Sequence, residues 1–201
     1  GGAPSFVDHR GNRPWPYEEE THPTSWTADR AKAFLQEYDG DVPWFLKFSC
    51  HRPHAPFDAP GRLMDYYKAK DLPKAVAGDW AKELYGEAKG SLNRSPRTSV
   101  GNFSDEETHD SRAAYYAAIT HVDEKIGEVL EALEARGELE NTLILFTSDH
   151  GDMMGDQHLW RKVFAYEPSA RVPMLIRWPE SMNLPLERGQ TFDHLVELRD
   201  I

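Results

Sequence analysis

A single cysteine, Cys50, is all that 201 residues contain, which excludes an internal disulfide and any zinc site built on cysteines. Long apolar runs are missing too, and nothing approaches the roughly 20 residues that a membrane span requires. The opening Gly1-Gly2-Ala3-Pro4 has neither the basic nor the apolar stretch of a signal peptide. Positive charge is in deficit: 23 Lys and Arg face 34 Asp and Glu, a formal net charge of −11. That balance argues against wrapping a nucleic-acid backbone as the main task. Internal repeats and low-complexity tracts are absent as well. What is present demands an interior. Six Trp, eight Tyr and nine Phe exclude disorder as the main state, and the length suits one domain with room for an added subdomain.

Four prolines and no periodicity make residues 1–23 a loop. Thr24 or Ser25 is a candidate cap for a helix running to about Tyr38, with Trp26, Ala33, Phe34 and Tyr38 as its buried side and Asp39-Gly40-Asp41 as its stop. Trp44 to Phe48 has the composition of a strand buried on both faces, ended by Pro53 and Pro56. Residues 61–104 are punctuated by Gly, Pro and Lys and read as an insertion or lid with short helical pieces. Asn93-Arg94-Ser95 and Asn102-Phe103-Ser104 are formal glycosylation sequons, meaningful only in a eukaryotic secretory path.

The strongest periodic signal runs from about Ser111 to Arg136. Ile119, Val122, Ile126, Val129, Leu130 and Leu133 recur at helical steps, four glutamates line the outer side, and Gly137 closes the helix. Thr142 to Thr147 and Val172 to Trp178 read as buried strands. Strand, long helix, strand is the grammar of an α/β fold.

Two of these strands end in polar clusters, where ligands of open α/β sheets bind. The first supplies His51 and His54, the second Ser148-Asp149-His150-Gly151-Asp152. Asp149 and His150 offer an oxygen and a nitrogen suited to a divalent cation; the alternative is a turn-capping aspartate beside a satisfied polar histidine. Asp152, Asp156 and His158 are further candidates, the last two better read as solvated loop residues. Lys162 and Arg161 bring positive charge that an anionic substrate needs, unless they are surface cations. Pro53 separates His51 from His54 and favours separate roles over a shared metal, with His54 held more tightly as a donor to substrate. Cys50 reads as a buried strand-end thiol rather than a nucleophile. Met153, Met154, Leu159, Trp160 and Phe164 mark the long connection after Asp149 as packed.

Taken in order, these motifs resemble the sulfatase family. Thr147-Ser148-Asp149-His150-Gly151-Asp152-Met153-Met154-Gly155-Asp156 is followed by Leu159-Trp160-Arg161-Lys162, Tyr166-Glu167 and Ser169-Ala170-Arg171-Val172-Pro173. Cys50 to Phe57 is similar to that family's His-x-Pro-His-x-Pro-Phe strand end, and Tyr115 to Gly127 to the helix before its metal strand. The resemblance covers residues 24–60 and 105–201. It implies an α/β fold of the alkaline phosphatase superfamily, a mostly parallel sheet sandwiched by helices and here incomplete. It also implies that Asp149 and His150 help bind a metal, usually calcium, and that Lys162 and His54 touch the substrate's sulfate group.

Two departures stand out. Gln157 occupies a position where relatives often have His. The family's nucleophile is a formylglycine made from Cys or Ser in a Cys/Ser-x-Pro/Ala-x-Arg motif, which Cys50 fails because Arg52 lies two residues on. The family's amino-terminal Asp pair is missing too. Residues 1–201 are therefore expected to be part of a sulfatase catalytic domain, inactive alone, with the formylglycine on a segment outside them. The expected partners are a small-molecule or carbohydrate sulfate ester and, for the full chain, a formylglycine-generating maturation enzyme. Nucleic acid and a membrane span are not expected, and the resemblance leans towards a periplasmic or secreted location. The rival readings are a phosphonate or phosphate ester hydrolase of the same superfamily, using Mn2+ or another transition metal, and a non-catalytic domain that keeps the fold.

Overall fold

The first helix, α1 (Pro23–Glu37), opens with a proline at its first position, where no backbone N–H is needed. In this computed structural model, which describes residues 12–87, 99–162 and 164–201, the cap is His22 rather than Thr24 or Ser25. Its Nδ1 accepts the Thr24 N–H at 3.0 Å. The buried face also differs from the expected one. Ala28, Ala31 and Leu35 are buried while Trp26 is 62% exposed. The partner explains this: α1 lies against α4 (Asp105–Ala135) at Val129 and Leu133, and small side chains let the two helices approach.

Helix α4 starts six residues before the point where the apolar periodicity begins. Ser104 and Glu107 form a reciprocal capping box, with the Glu107 N–H on Ser104 Oγ and the Ser104 N–H on Glu107 Oε2. Its end is tied by Gly137 at φ +76°, with the Gly137 N–H on the Glu134 carbonyl and the Glu138 N–H on that of Leu133. Between those ends the buried face is not the expected aliphatic stripe. Ala113, Ala114, Ala117, Ala118 and His121 are buried with Val129 and Leu133, whereas Ile119 is exposed. Helix α2 (Gly61–Lys68) lays Leu63 and Met64 on the alanines. Segment 61–104 thus does contain short helices, α2 and α3 (Asp79–Tyr85). The sequon at Asn102 has its amide nitrogen donated to the Gly86 carbonyl at 2.8 Å; that at Asn93 lies outside the described residues.

Strands are the weaker half of the architecture. β1 (Ile144–Thr147) pairs with β2 (Met174–Arg177), Ile144 opposite Arg177 and Thr147 opposite Met174. A four-residue helix, α5 (Glu167–Ala170), precedes β2. The pair is antiparallel, so it does not display the parallel arrangement expected of the sheet. Nor is either strand buried on both faces: Leu145, Phe146, Leu175 and Ile176 are exposed. Trp44 to Phe48 forms no strand and pairs with none among the described residues. Trp44, Leu46 and Phe48 pack on the α1–α4 cluster while Phe45 is 90% exposed. Its period-two burial is that of a one-sided strand.

A buried polar seam joins α1 to α4. The rings of His22 and His121 meet edge to face at 4.8 Å. The Ser25 hydroxyl donates to the Glu19 carbonyl at 2.8 Å, so its oxygen accepts from His121 Nε2 at 3.2 Å. Burial, with the neighbouring His22, pushes the His121 pKa down from 6.5 to about 4. The unfolded chain takes up this proton at the ordinary value and the folded chain does not, so stability falls as the pH drops through that window. His121→Gln, which keeps an N–H for Ser25, should flatten the dependence of the urea midpoint between about pH 6.5 and pH 5. An unaltered slope would mean that other groups carry it.

Candidate active site

Two loops meet at one edge of the helical core. One follows the run from Trp44 to Phe48 and carries His51 and His54; the other follows β1 and carries Asp149, His150, Asp152 and Lys162. Both are anchored in the same cluster. Phe57 and Ala59 of the first loop, and Met154 and Trp160 of the second, pack with Ala114, Ala117 and Ala118 of α4. As the apolar content of the second loop suggested, Met153, Met154, Leu159 and Trp160 are buried.

Asp152 shapes the second loop. Its Oδ1 accepts the N–H of Met154 at 3.0 Å and that of Arg161 at 2.9 Å, closing nine residues onto one carboxylate. The Met153 N–H reaches the Arg161 carbonyl at 2.9 Å. Burial raises the Asp152 pKa; the two N–H bonds and the charges of Lys162 and His150 oppose the rise. Lys162 is thereby delivered beside Asp152. At the loop's start, Gly151 donates to the Ser169 carbonyl at 2.8 Å. A Cβ there would meet the Pro168 carbonyl oxygen at 2.1 Å, so no other residue fits without moving α5.

Of the four singled-out residues, His54 and His150 meet ring to ring, Asp149 stands beside His150 at the rim, and Lys162 acts on their neighbours His51 and Asp152. His54 and His150 lie 6.3 Å apart, ring to ring, and His51 lies 4.7 Å from His54. Lys162 acts on His51, whose pKa is lowered by burial first, then by His54, Arg52 and Lys162. Asp149 is 85% exposed at its side chain, with Oδ1 accepting the His150 N–H and Oδ2 3.7 Å from His150 Nε2.

Both key rings have an assignable tautomer. His54 Nδ1 sits 2.8 Å from the Ala55 carbonyl and His150 Nδ1 2.7 Å from that of Gly151. A carbonyl only accepts, so each Nδ1 carries hydrogen and each neutral ring leaves Nε2 with a lone pair. Asp149 and His150 Nε2 are thus donors fit to share a cation. Among the described residues no group of three or more His, Cys, Asp or Glu is disposed to hold a metal.

Other candidates are occupied elsewhere. Asp156 Oδ1 accepts from Val76 N at 3.0 Å and from Arg112 at 2.6 Å, and Gln157 Oε1 accepts from Gly78 N at 2.9 Å. His158 borders a separate cavity of about 150 Å3 with Trp160 and Arg112. Sequence reasoning passed over Arg52 and Asp58. Arg52 holds both Asp58 oxygens, at 2.6 and 2.7 Å, beneath the first loop. Five intervening residues, two of them prolines, gave that pair no periodic signature.

The Sulfatase family profile matches residues 2–184. The chain is 45% identical over 190 residues to the arylsulfatase of Clostridium perfringens (strain 13 / Type A), covering 94% of this chain and 39% of that protein. It is 38% identical over 139 residues to the choline-sulfatase of Rhizobium meliloti (strain 1021), covering 68% of this chain and 27% of that one. Among solved structures, the phosphonate monoester hydrolase of Agrobacterium radiobacter superimposes with a TM-score of 0.70 at 27% identity, over 89% of this chain and 37% of its own. The chain therefore spans well under half the length of these relatives.

Cys50 is half-buried, and burial pushes its thiol up to about 11. Since the thiolate is the reactive form, Cys50 should alkylate with iodoacetamide at neutral pH about a hundredfold more slowly than free cysteine. Labelling at the free-thiol rate, followed by mass spectrometry, would restore it as a nucleophile candidate.

Proposed function

The chain belongs to the sulfatase family, and from that premise we propose that it forms one wall of the active site of a sulfate-ester hydrolase. Its fold is the α/β fold of the alkaline phosphatase superfamily, represented in part. One observation carries the reading: the two loops bring the bare Nε2 atoms of His54 and His150 to the edge where Lys162 acts.

In this reading Asp149 and His150 Nε2 help hold a divalent cation, calcium by family resemblance. The cation supplies Lewis acidity and fixes the orientation of the ester group. Lys162 contributes fixed positive charge to the sulfuryl oxygens, kept in place by the Asp152 clasp. His54, when protonated, donates from Nε2 to the ester oxygen as the bond to sulfur breaks, its ring orientation set by the Ala55 carbonyl. The nucleophile is a formylglycine outside these 201 residues, installed by a maturation enzyme; the substrate is a small-molecule or carbohydrate sulfate. A periplasmic or secreted location fits that substrate class, and no described helix is long and apolar enough to cross a membrane.

A second reading has support in the likeness to a phosphonate monoester hydrolase and in the imidazole ligand, which suits Mn2+ or another transition metal. The intact enzyme, assayed with an aryl sulfate and an aryl phosphonate ester, should favour the sulfate. Lys162→Ala and His54→Ala should each lower kcat/KM at least about tenfold, or 1.4 kcal/mol. Asp149→Asn should lower bound calcium by elemental analysis. Preference for the phosphonate ester overturns the sulfatase reading, and wild-type kinetics in both alanine variants removes those residues from the mechanism. The 201-residue chain alone should give no turnover.

A further inference from the structure

His51 has no part in the reading above, yet of the first loop's two imidazoles it is the one bonded to a buried side chain. Arg52 lies almost wholly buried, with its side chain 9% exposed. Two of its nitrogens take both oxygens of Asp58, and the third, Nη1, lies 2.8 Å from His51 Nδ1. Asp58 is backed in turn by the buried His22, whose Nε2 is 3.6 Å from Oδ1. A guanidinium has donors and no acceptor, so His51 Nδ1 must accept. A proton on Nδ1 would break this bond and set two cations face to face. The neutral ring therefore carries its hydrogen on Nε2, the reverse of its neighbour His54 4.7 Å away, whose hydrogen is on Nδ1.

Two adjacent histidines held in opposite tautomers do different chemistry. One offers a lone pair or a titratable proton; the other offers a fixed neutral donor. His51 Nε2 makes no hydrogen bond to any described residue, and Lys162 is near enough for its charge to act on the ring. We propose that Arg52, anchored by Asp58, is a positioning residue that fixes His51 as a neutral Nε2–H donor, and that His51 binds an anionic oxygen of the ester group beside Lys162. The proposal rests on the ester-hydrolase reading for its substrate, but its tautomer half stands apart from it.

The test uses the intact enzyme. In 15N-histidine spectra His51, assigned by its loss in His51→Gln, should show the Nε2–H tautomer, and Arg52→Met should mix the two tautomers. His51→Gln places an amide N–H near the position of Nε2 and should keep kcat/KM for an aryl sulfate within about threefold; His51→Asn cannot reach it and should lose at least about tenfold. The Gln and Asn variants leave the Arg52–Asp58 pair intact, so a folding failure of Arg52→Met does not decide the matter. An Nδ1–H tautomer in the wild type overturns the proposal, as does equal activity of Gln and Asn variants. If the enzyme hydrolyses only the phosphonate ester, the sulfatase reading falls, and the same two variants on that ester decide the role of His51.

Discussion

Helix α4 carries alanine at 114, 117 and 118, and the edge where the two loops meet depends on how closely other chain can approach there. Leu63 and Met64 come down on that patch from α2, and so do Phe57, Ala59, Met154 and Trp160 from two loops far apart in sequence. A larger side chain at any of these alanines would push out a loop anchor as well as a helix, since a packed core yields little to added volume. One alanine surface thus seats both loops and sets the spacing between His54 and His150. Packing and site geometry are here a single constraint.

Electrostatics is divided in the same way. The chain is strongly acidic, yet several carboxylates outside the loops are engaged by cations: Glu19 and Glu124 by Arg62, and Glu128 by Lys32 and Lys125. Near the loops the carboxylates are committed. Asp58 is held by His22 and the Arg52 fork, which together keep its pKa down despite burial. Asp152 spends Oδ1 on two backbone N–H groups. Lys162 and the imidazoles are left as the local field, with exposed Asp149 at the rim. An anion can approach such an edge although the net charge repels it at long range, because screening removes the distant charges first.

How much of this was legible in the sequence depended on the range of the interaction. The long helix announced itself by periodicity, but its start did not, because the apolar period begins late; Ser104 and Glu107 were the signal, and a capping box is a local pattern that could have been read. Gly137 was read correctly because one residue's φ decides it. The buried side of α1 was misjudged because large apolar residues seemed the natural core, whereas a close helix pair selects Ala28 and Ala31 and leaves Trp26 outside. Strands were read from composition, and composition does not say what covers the second face of Phe45 or Leu175. The candidate residues of both loops were singled out because ordered short motifs carry them. Arg52, Asp58 and His22 were invisible, since their contacts cross from a loop to a helix cap with no repeating spacing.

The departure at Gln157 illustrates how a site loop can be tied to the segment beside it. Its side-chain oxygen accepts the Gly78 N–H and its own N–H meets the Val76 carbonyl at 2.7 Å, while Asp156 takes the Val76 N–H. Three bonds thus fix residues 76–78 to the loop that delivers Lys162. A histidine at 157 has no amide oxygen to accept from Gly78, and its ring would need a different path for that segment. The substitution therefore does more than remove an imidazole from the neighbourhood of the site. It makes the arrangement before α3 and the position of the Lys162 loop mutually dependent, since hydrogen-bonded groups with shared partners do not move independently. Variation in residues 76–78 then acts on the loop that carries Lys162 through backbone geometry.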